Sequence, residues 1–170
     1  MTIRCGGQSL IEVMVVLLLI SMSLTGMVGT MITSQQLSLI SIQTSDAVQL
    51  AANISDRMRL NKRELLRKGS AYLTLINPLQ ASIQLCPGQQ NCPHRLQALQ
   101  DLNEWHLQLV QKLPMYKAVI CRDNTPRDGS YLQRDGCDRR KTSPVVIKLW
   151  WLSVARADNG LQFYALVHAL

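Results

Sequence analysis

The stretch Leu10–Ile32 reads LIEVMVVLLLISMSLTGMVGTMI, and Glu12 is its only ionisable residue. Its 23 positions, at about 1.5 Å each, make a helix about 35 Å long, enough to cross a hydrocarbon layer of about 30 Å. In lipid a lone segment satisfies its backbone polar groups only as a helix. A removable secretory signal has a shorter apolar region, about 7–15 residues, with a small-residue cleavage site behind it. Here the run is longer, and Thr25, Gly26, Gly29 and Thr30 lie inside it. The stretch is therefore read as a retained membrane anchor. Arg4 precedes it and no Lys or Arg follows until Arg57, which predicts a cytoplasmic N-terminus with the rest of the chain across the membrane.

The rest of the composition limits the alternatives. The chain has 170 residues, 18 Lys+Arg against 11 Asp+Glu, and a formal charge of +7. At 47% hydrophobic and 17% charged it is too apolar for intrinsic disorder. A mean hydropathy of +0.04 leaves room for about one span and excludes a polytopic membrane protein. Glu12 stands out, because a carboxylate in a spanning helix costs about 2.5–3.5 kcal/mol on insertion scales and is functional by default. The plainer alternative is that Glu12, third in the run, stays hydrated at the membrane edge.

The preceding residues favour the functional reading. Gly6-Gly7-Gln8-Ser9-Leu10-Ile11-Glu12 resembles the recognition sequence of type IV prepilins, in which a short basic leader ends in Gly and the mature chain has Glu at its fifth position. The resemblance implies cleavage between Gly7 and Gln8 and N-methylation of Gln8. It also implies pairing of Glu12 with the terminal amine of a neighbouring subunit. The family usually begins its mature chain with Phe or Met, where this one has Gln8. The pairing is physically reasonable, since a low dielectric penalises either charge alone.

After Ile32 the helix is expected to continue, because 33–66 contains no Pro or Gly. Apolar residues recur at Leu37, Ile40, Val48, Ala51, Ile54, Met58 and Leu65, mostly at helical intervals. Gly69-Ser70 is the expected stop. One helix from about Ser9 to Lys68 is predicted, its second half amphipathic and lying on a globular head. The run Asp56-Arg57-Met58-Arg59-Leu60-Asn61 is similar to the helix end of the PilV group of minor pilins. The cations Arg57, Arg59, Lys62, Arg63, Arg67 and Lys68 suit phosphate contacts, but with no aromatic interleaving they read as a solvated face and nucleic-acid binding is disfavoured.

Five cysteines are present, and removing 1–7 would leave Cys86, Cys92, Cys121 and Cys137, an even set in an oxidising compartment. Three pairings exist. The local one, Cys86–Cys92 and Cys121–Cys137, is preferred because it closes short loops rich in turn residues. A thiolate metal site with His94 competes weakly, since five residues separate Cys86 from Cys92 and zinc sites favour about two to four. No metal and no cofactor is expected.

Between Pro93 and Pro114 a second helix is predicted, with Leu96, Leu99, Leu102, Trp105, Leu109, Val110 and Leu113 inward and Asp101, Glu104 and Lys112 on other faces. Asp101-Leu102-Asn103-Glu104-Trp105 is again similar to the PilV group. Trp105 reads as a core anchor, and His94 and His106 as surface or partly packed. Strands are expected at 115–121, 145–154 and 161–169, the last two joined by an Asp158-Asn159-Gly160 turn. The segment between Cys121 and Ser143 reads as a basic, exposed loop.

The resulting expectation is an α+β, pilin-like fold: leader 1–7, transmembrane and assembly helix 8–32, amphipathic helix half 33–68, and a periplasmic head 69–170 with a small antiparallel sheet and disulfide-closed loops. The resemblance implies a non-enzymatic minor pilin, PilV-like, that primes type IV pilus assembly and supports adhesion and twitching motility. It would reside in the bacterial inner membrane before entering the pilus. Implied partners are other minor pilins, the major pilin, the prepilin peptidase/methyltransferase, the inner-membrane assembly platform and a tip adhesin. Alternatives are a minor pseudopilin of type II secretion, sharing the leader and anchor rules, and a DNA-uptake minor pilin, suggested by the +7 charge. A membrane-anchored enzyme lacks a sequence signature, with no nucleophile elbow or phosphate loop.

Overall fold

In the computed structural model, residues 10–76, 92–153 and 160–168 are described. The chain divides into two units at Leu39/Ile40, and helix α1, Leu10–Leu60, begins in the first and ends in the second. In the first unit, residues 10–39 are exposed throughout. The most apolar window of α1 has a mean hydropathy of 2.2 with none of it buried, so the helix is long and apolar enough to cross a membrane. Its hydroxyls also suit lipid. Ser21, Ser23, Thr25, Thr30 and Thr33 each donate to a carbonyl three or four residues back, at 2.8–2.9 Å (Ser21 to Leu18, Ser23 to Leu19, Thr33 to Thr30). Side-chain donors therefore need no partner from the hydrocarbon.

In the second unit α1 changes character. Ala47, Leu50, Ala51, Ile54, Ser55 and Met58 are buried, a stripe with helical spacing that faces the core. Val48, expected inward, is 39% exposed, because the core stripe runs through Ala47 and Leu50 instead. The expected continuous helix to Lys68 is corrected: α1 stops at Leu60, Asn61 leaves helical geometry at φ −110°, ψ 45°, and α2 spans only Lys62–Leu65. The cause is tertiary. Asn61 is buried, and its amide donates to the His94 carbonyl at 2.6 Å and to the Tyr72 hydroxyl at 3.3 Å.

Helix α3, His94–Lys112, buries Ala98, Leu102, Trp105 and Leu109. Leu96 and Val110, expected inward, are 42% and 54% exposed. The sheet has the order β1-β2-β3-β4 and is antiparallel throughout, with β1 Leu75–Ile76, β2 Lys117–Arg122, β3 Val145–Leu152 and β4 Leu161–His168. The two-residue β1 was not foreseen, and β2 starts two residues after Met115, which takes a φ of 44° and lies exposed. Most of the Asp158–Gly160 turn lies outside the described residues.

Strand side chains alternate between faces. Ala118, Ile120, Val145, Ile147, Leu149 and Trp151 join the helix stripes in the main core around Trp105. Val119, Cys121 and Trp150 point to the other face, where Tyr131 and Cys137 of the 123–144 loop pack on them. The fold is therefore α+β, with helices on one side of the sheet and an irregular loop on the other.

Candidate functional site

The signature at the N-terminus is only partly on view. Gly7 and Gln8 lie outside the described residues, and Glu12 sits exposed in the first turn of α1.

The two runs that carry the finer resemblance meet in one polar seam. Arg57 donates to Glu104 Oε2 at 2.6 Å and to Asp101 Oδ1 at 3.2 Å. The Tyr72 hydroxyl donates to Asp101 Oδ2 at 2.5 Å. Gln100 donates to Glu104 Oε1 at 3.1 Å. Trp105 completes the seam from the core side, its indole N–H donating to the Leu50 carbonyl at 2.9 Å. Asp101, expected on an outer face, is buried, because Arg57 and Tyr72 supply its partners. Burial opposes the charge on Arg57, but Glu104 and Asp101 outweigh it and hold its pKa above the ordinary value. Hydrogen bonds from Arg57 and Gln100 hold Glu104 below the usual carboxylate range. Burial, then Asp101, raises the Tyr72 hydroxyl well out of its normal titration range. The seam thus ties α3 to the end of α1 through the two ion pairs of Arg57.

A second polar centre was missed by the sequence reading, which placed 145–154 in a strand without a role for Lys148 and read the segment between Cys121 and Ser143 as a basic, exposed loop. Lys148 is fully buried at the middle of β3. Its ammonium lies 2.6 Å from Asp123 Oδ2 and 2.6 Å from Asp128 Oδ1. It also donates to the carbonyls of Asp128, Asp135 and Gly136 at 3.1–3.2 Å. Burial pushes the Asp123 carboxyl up, but Lys148 and the Thr125 N–H and hydroxyl more than offset this and hold it below its usual value. The loop closes tightly enough to exclude side chains at two glycines. Gly129 has φ 97° and a Cβ there would lie 2.6 Å from the Asp135 carbonyl oxygen, while a Cβ on Gly136 (φ 67°) would collide with the Asp128 carboxylate. The available signal was one Lys inside an otherwise apolar strand, which must find a counter-charge if both faces are covered.

The expected Cys121–Cys137 disulfide is formed, with a Cα–Cα distance of 6.1 Å, and pins the same loop to β2. Cys92 is disulfide-bonded, and Cys86 lies outside the described residues. His94 is exposed at the start of α3. His106 is more deeply packed than expected, sharing a 2.6 Å hydrogen bond with the Tyr116 hydroxyl. Ser55 and His168 share a 2.7 Å hydrogen bond. Such a pair resembles a nucleophile and its base, and both residues are buried. Among the described residues, no group of three His, Cys, Asp or Glu side chains is placed to hold a metal ion. No family model, no curated protein and no solved structure matches the chain.

Proposed function

We propose that this chain is a minor pilin of a type IV pilus, a structural subunit that helps to prime filament assembly at the bacterial inner membrane. The observation that carries the reading is a conjunction. An apolar helix with one acid in its first turn runs into an α+β head, and the sequence before it resembles a prepilin cleavage site.

Physical reasoning supports the roles. Cleavage after Gly7 would free an amine on Gln8 close to the membrane interface. Glu12 of one subunit would pair with that amine on another, offsetting the cost of a carboxylate in lipid. The apolar helices would leave lipid by packing on each other, and the heads would be displayed outside. Partners in this reading are other minor pilins, the major pilin, the prepilin peptidase/methyltransferase, the assembly platform and a tip adhesin. A type II secretion pseudopilin shares the leader and anchor rules. The runs 56–61 and 101–105, which resemble the PilV group, favour the pilus.

The test is the intact mass of protein recovered from membranes. The reading expects loss of residues 1–7 and addition of a methyl group. Gly7→Leu should leave the chain uncleaved. Glu12→Ala should insert and be cleaved, yet fail to co-purify with other pilins. Met1 retained in a functional cell would overturn the proposal.

A further inference from the structure

The outer face of the sheet is covered unevenly. Over β2 and β3 the 123–144 loop holds Lys148 and packs Tyr131 near Trp150. Beside it, β4 is half-exposed. Leu161, Phe163, Ala165 and Val167 pair with Leu152, Trp150, Lys148 and Val146, so these four β4 residues share the outer face. Leu161, Phe163 and Val167 remain 43%, 37% and 47% exposed. The strand, LQFYALVH, contains no Lys, Arg, Asp, Glu or Pro. It ends the sheet, and among the described residues its far edge pairs with no strand. An apolar edge without charges or prolines lacks the devices that ordinarily prevent pairing with another chain.

At the Leu161 end, a groove of about 560 Å³ opens between Met115, Tyr131, Leu132, Leu152 and Leu161. Leu132 is 87% exposed and Met115 67%. The wall that carries Leu132 is held in place. The Ser130 N–H donates to the Arg134 carbonyl at 2.7 Å, and the Gln133 N–H to the Ser130 hydroxyl at 3.0 Å. Lys117 donates to the carbonyls of Ser130 and Tyr131 at 2.9 and 3.0 Å. The groove is thus preformed.

We propose that β4 and this groove form a docking edge for an extended strand of an acidic partner protein. The partner's backbone pairs with the outer edge of β4, and one of its apolar side chains seats beside Leu132. Charge selects the partner. Arg134 ends the turn that walls the groove, and it is exposed, as are Arg127, Arg140 and Lys141 of the same loop. Three of the loop's four acids face cations, Asp123 and Asp128 at Lys148 and Asp135 at Arg139, and Asp138 accepts hydrogen bonds from the Asn124 N–H and the Ser143 hydroxyl. A second copy would bring the same cations to this face, whereas a strand flanked by acids is attracted. The inference does not depend on the pilin reading.

The test uses the full chain in detergent micelles and a synthetic peptide of alternating valine and threonine with aspartates at both ends. The peptide should bind at low salt, protect β4 amides from hydrogen exchange and weaken as salt rises. Leu132→Asp should weaken it about tenfold or more, the cost of losing one buried leucine contact, and at this exposed position the fold should be undisturbed. Arg134→Glu should also weaken it and should favour the same peptide with lysine ends. Leu107→Asp, on the exposed side of α3, should have no effect. Absence of binding, indifference to Leu132→Asp, or equal binding of the lysine-ended peptide by the unaltered chain would overturn the proposal. So would sedimentation showing a dimer that Val167→Lys abolishes, which would assign the edge to a second copy.

Discussion

The two faces of the sheet are covered by different physics. On one face the stripes of α1 and α3 close an apolar core around Trp105, Ile147, Leu149 and Trp151. On the other an irregular segment covers β2 and β3 and buries only a small cluster at Val119, Cys121 and Trp150. A helix satisfies its own backbone and can give a whole stripe to the core. An irregular loop cannot, because its carbonyls need partners. Lys148 meets that need by gathering three loop carbonyls and two carboxylates on one ammonium, and the Cys121–Cys137 link limits the loop's freedom in the unfolded chain. One face is held mainly by area removed from water, the other by a charge and a covalent bond.

That contrast can be broken from either side. The largest expected effect is on the helix face. Trp105→Ala should destabilise the head by about 5 kcal/mol, the upper end for removing a large aromatic, because the Leu50 carbonyl also loses its indole donor. Denaturant unfolding followed by far-UV circular dichroism would check it. On the loop face, Lys148→Met should cost about 3–5 kcal/mol, since it leaves Asp123 buried without its counter-charge. Adding Asp123→Asn should recover part of this loss. If the single and double variants were equally stable, the ion pair would not be what holds the loop.

The smallest effect sharpens the comparison through pH. Burial, with a contribution from Arg59, lowers the His168 pKa against an opposing pull from Asp56, and burial lowers that of His106. Both rings lie on the helix side of the sheet and fold as neutral groups. As pH falls below the ordinary histidine value of about 6.5, the unfolded chain takes up protons that the folded one resists, so stability is lost towards the folded-state pKa values. The loop face should respond only at more acid pH, where Asp123, held low by Lys148 and Thr125, is finally protonated. A thermal melt series should therefore show a shallow decline beginning near neutrality that His168→Gln reduces. An unchanged slope in that variant would remove His168 from the account.

Much of the plan was legible in the chain. The apolar run, the second helix, the two long strands and the Cys121–Cys137 link follow from periodicity, length and spacing, which are local quantities. The core role of Trp105 was legible too, because it falls on the inward spacing of α3. The misses share one cause. Asn61 lies in a stretch with no Pro or Gly to stop a helix, and it breaks α1 through contacts with Tyr72 and His94. Asp101 reads as a surface acid until Arg57 and Tyr72 are placed beside it. Asp123 belongs to a loop whose composition looks solvated, and its partner lies twenty-five residues away in sequence.

The sequence by itself determined where the chain is apolar enough for lipid, where the two long helices and the two long strands lie, and which acid stands at the head of the anchor, since each depends on neighbours within a few turns. Only the tertiary structure decided which polar groups are buried, where α1 ends and in what order the strands pair. Desolvation and pairing depend on what arrives from distant parts of the chain, and no local pattern encodes that.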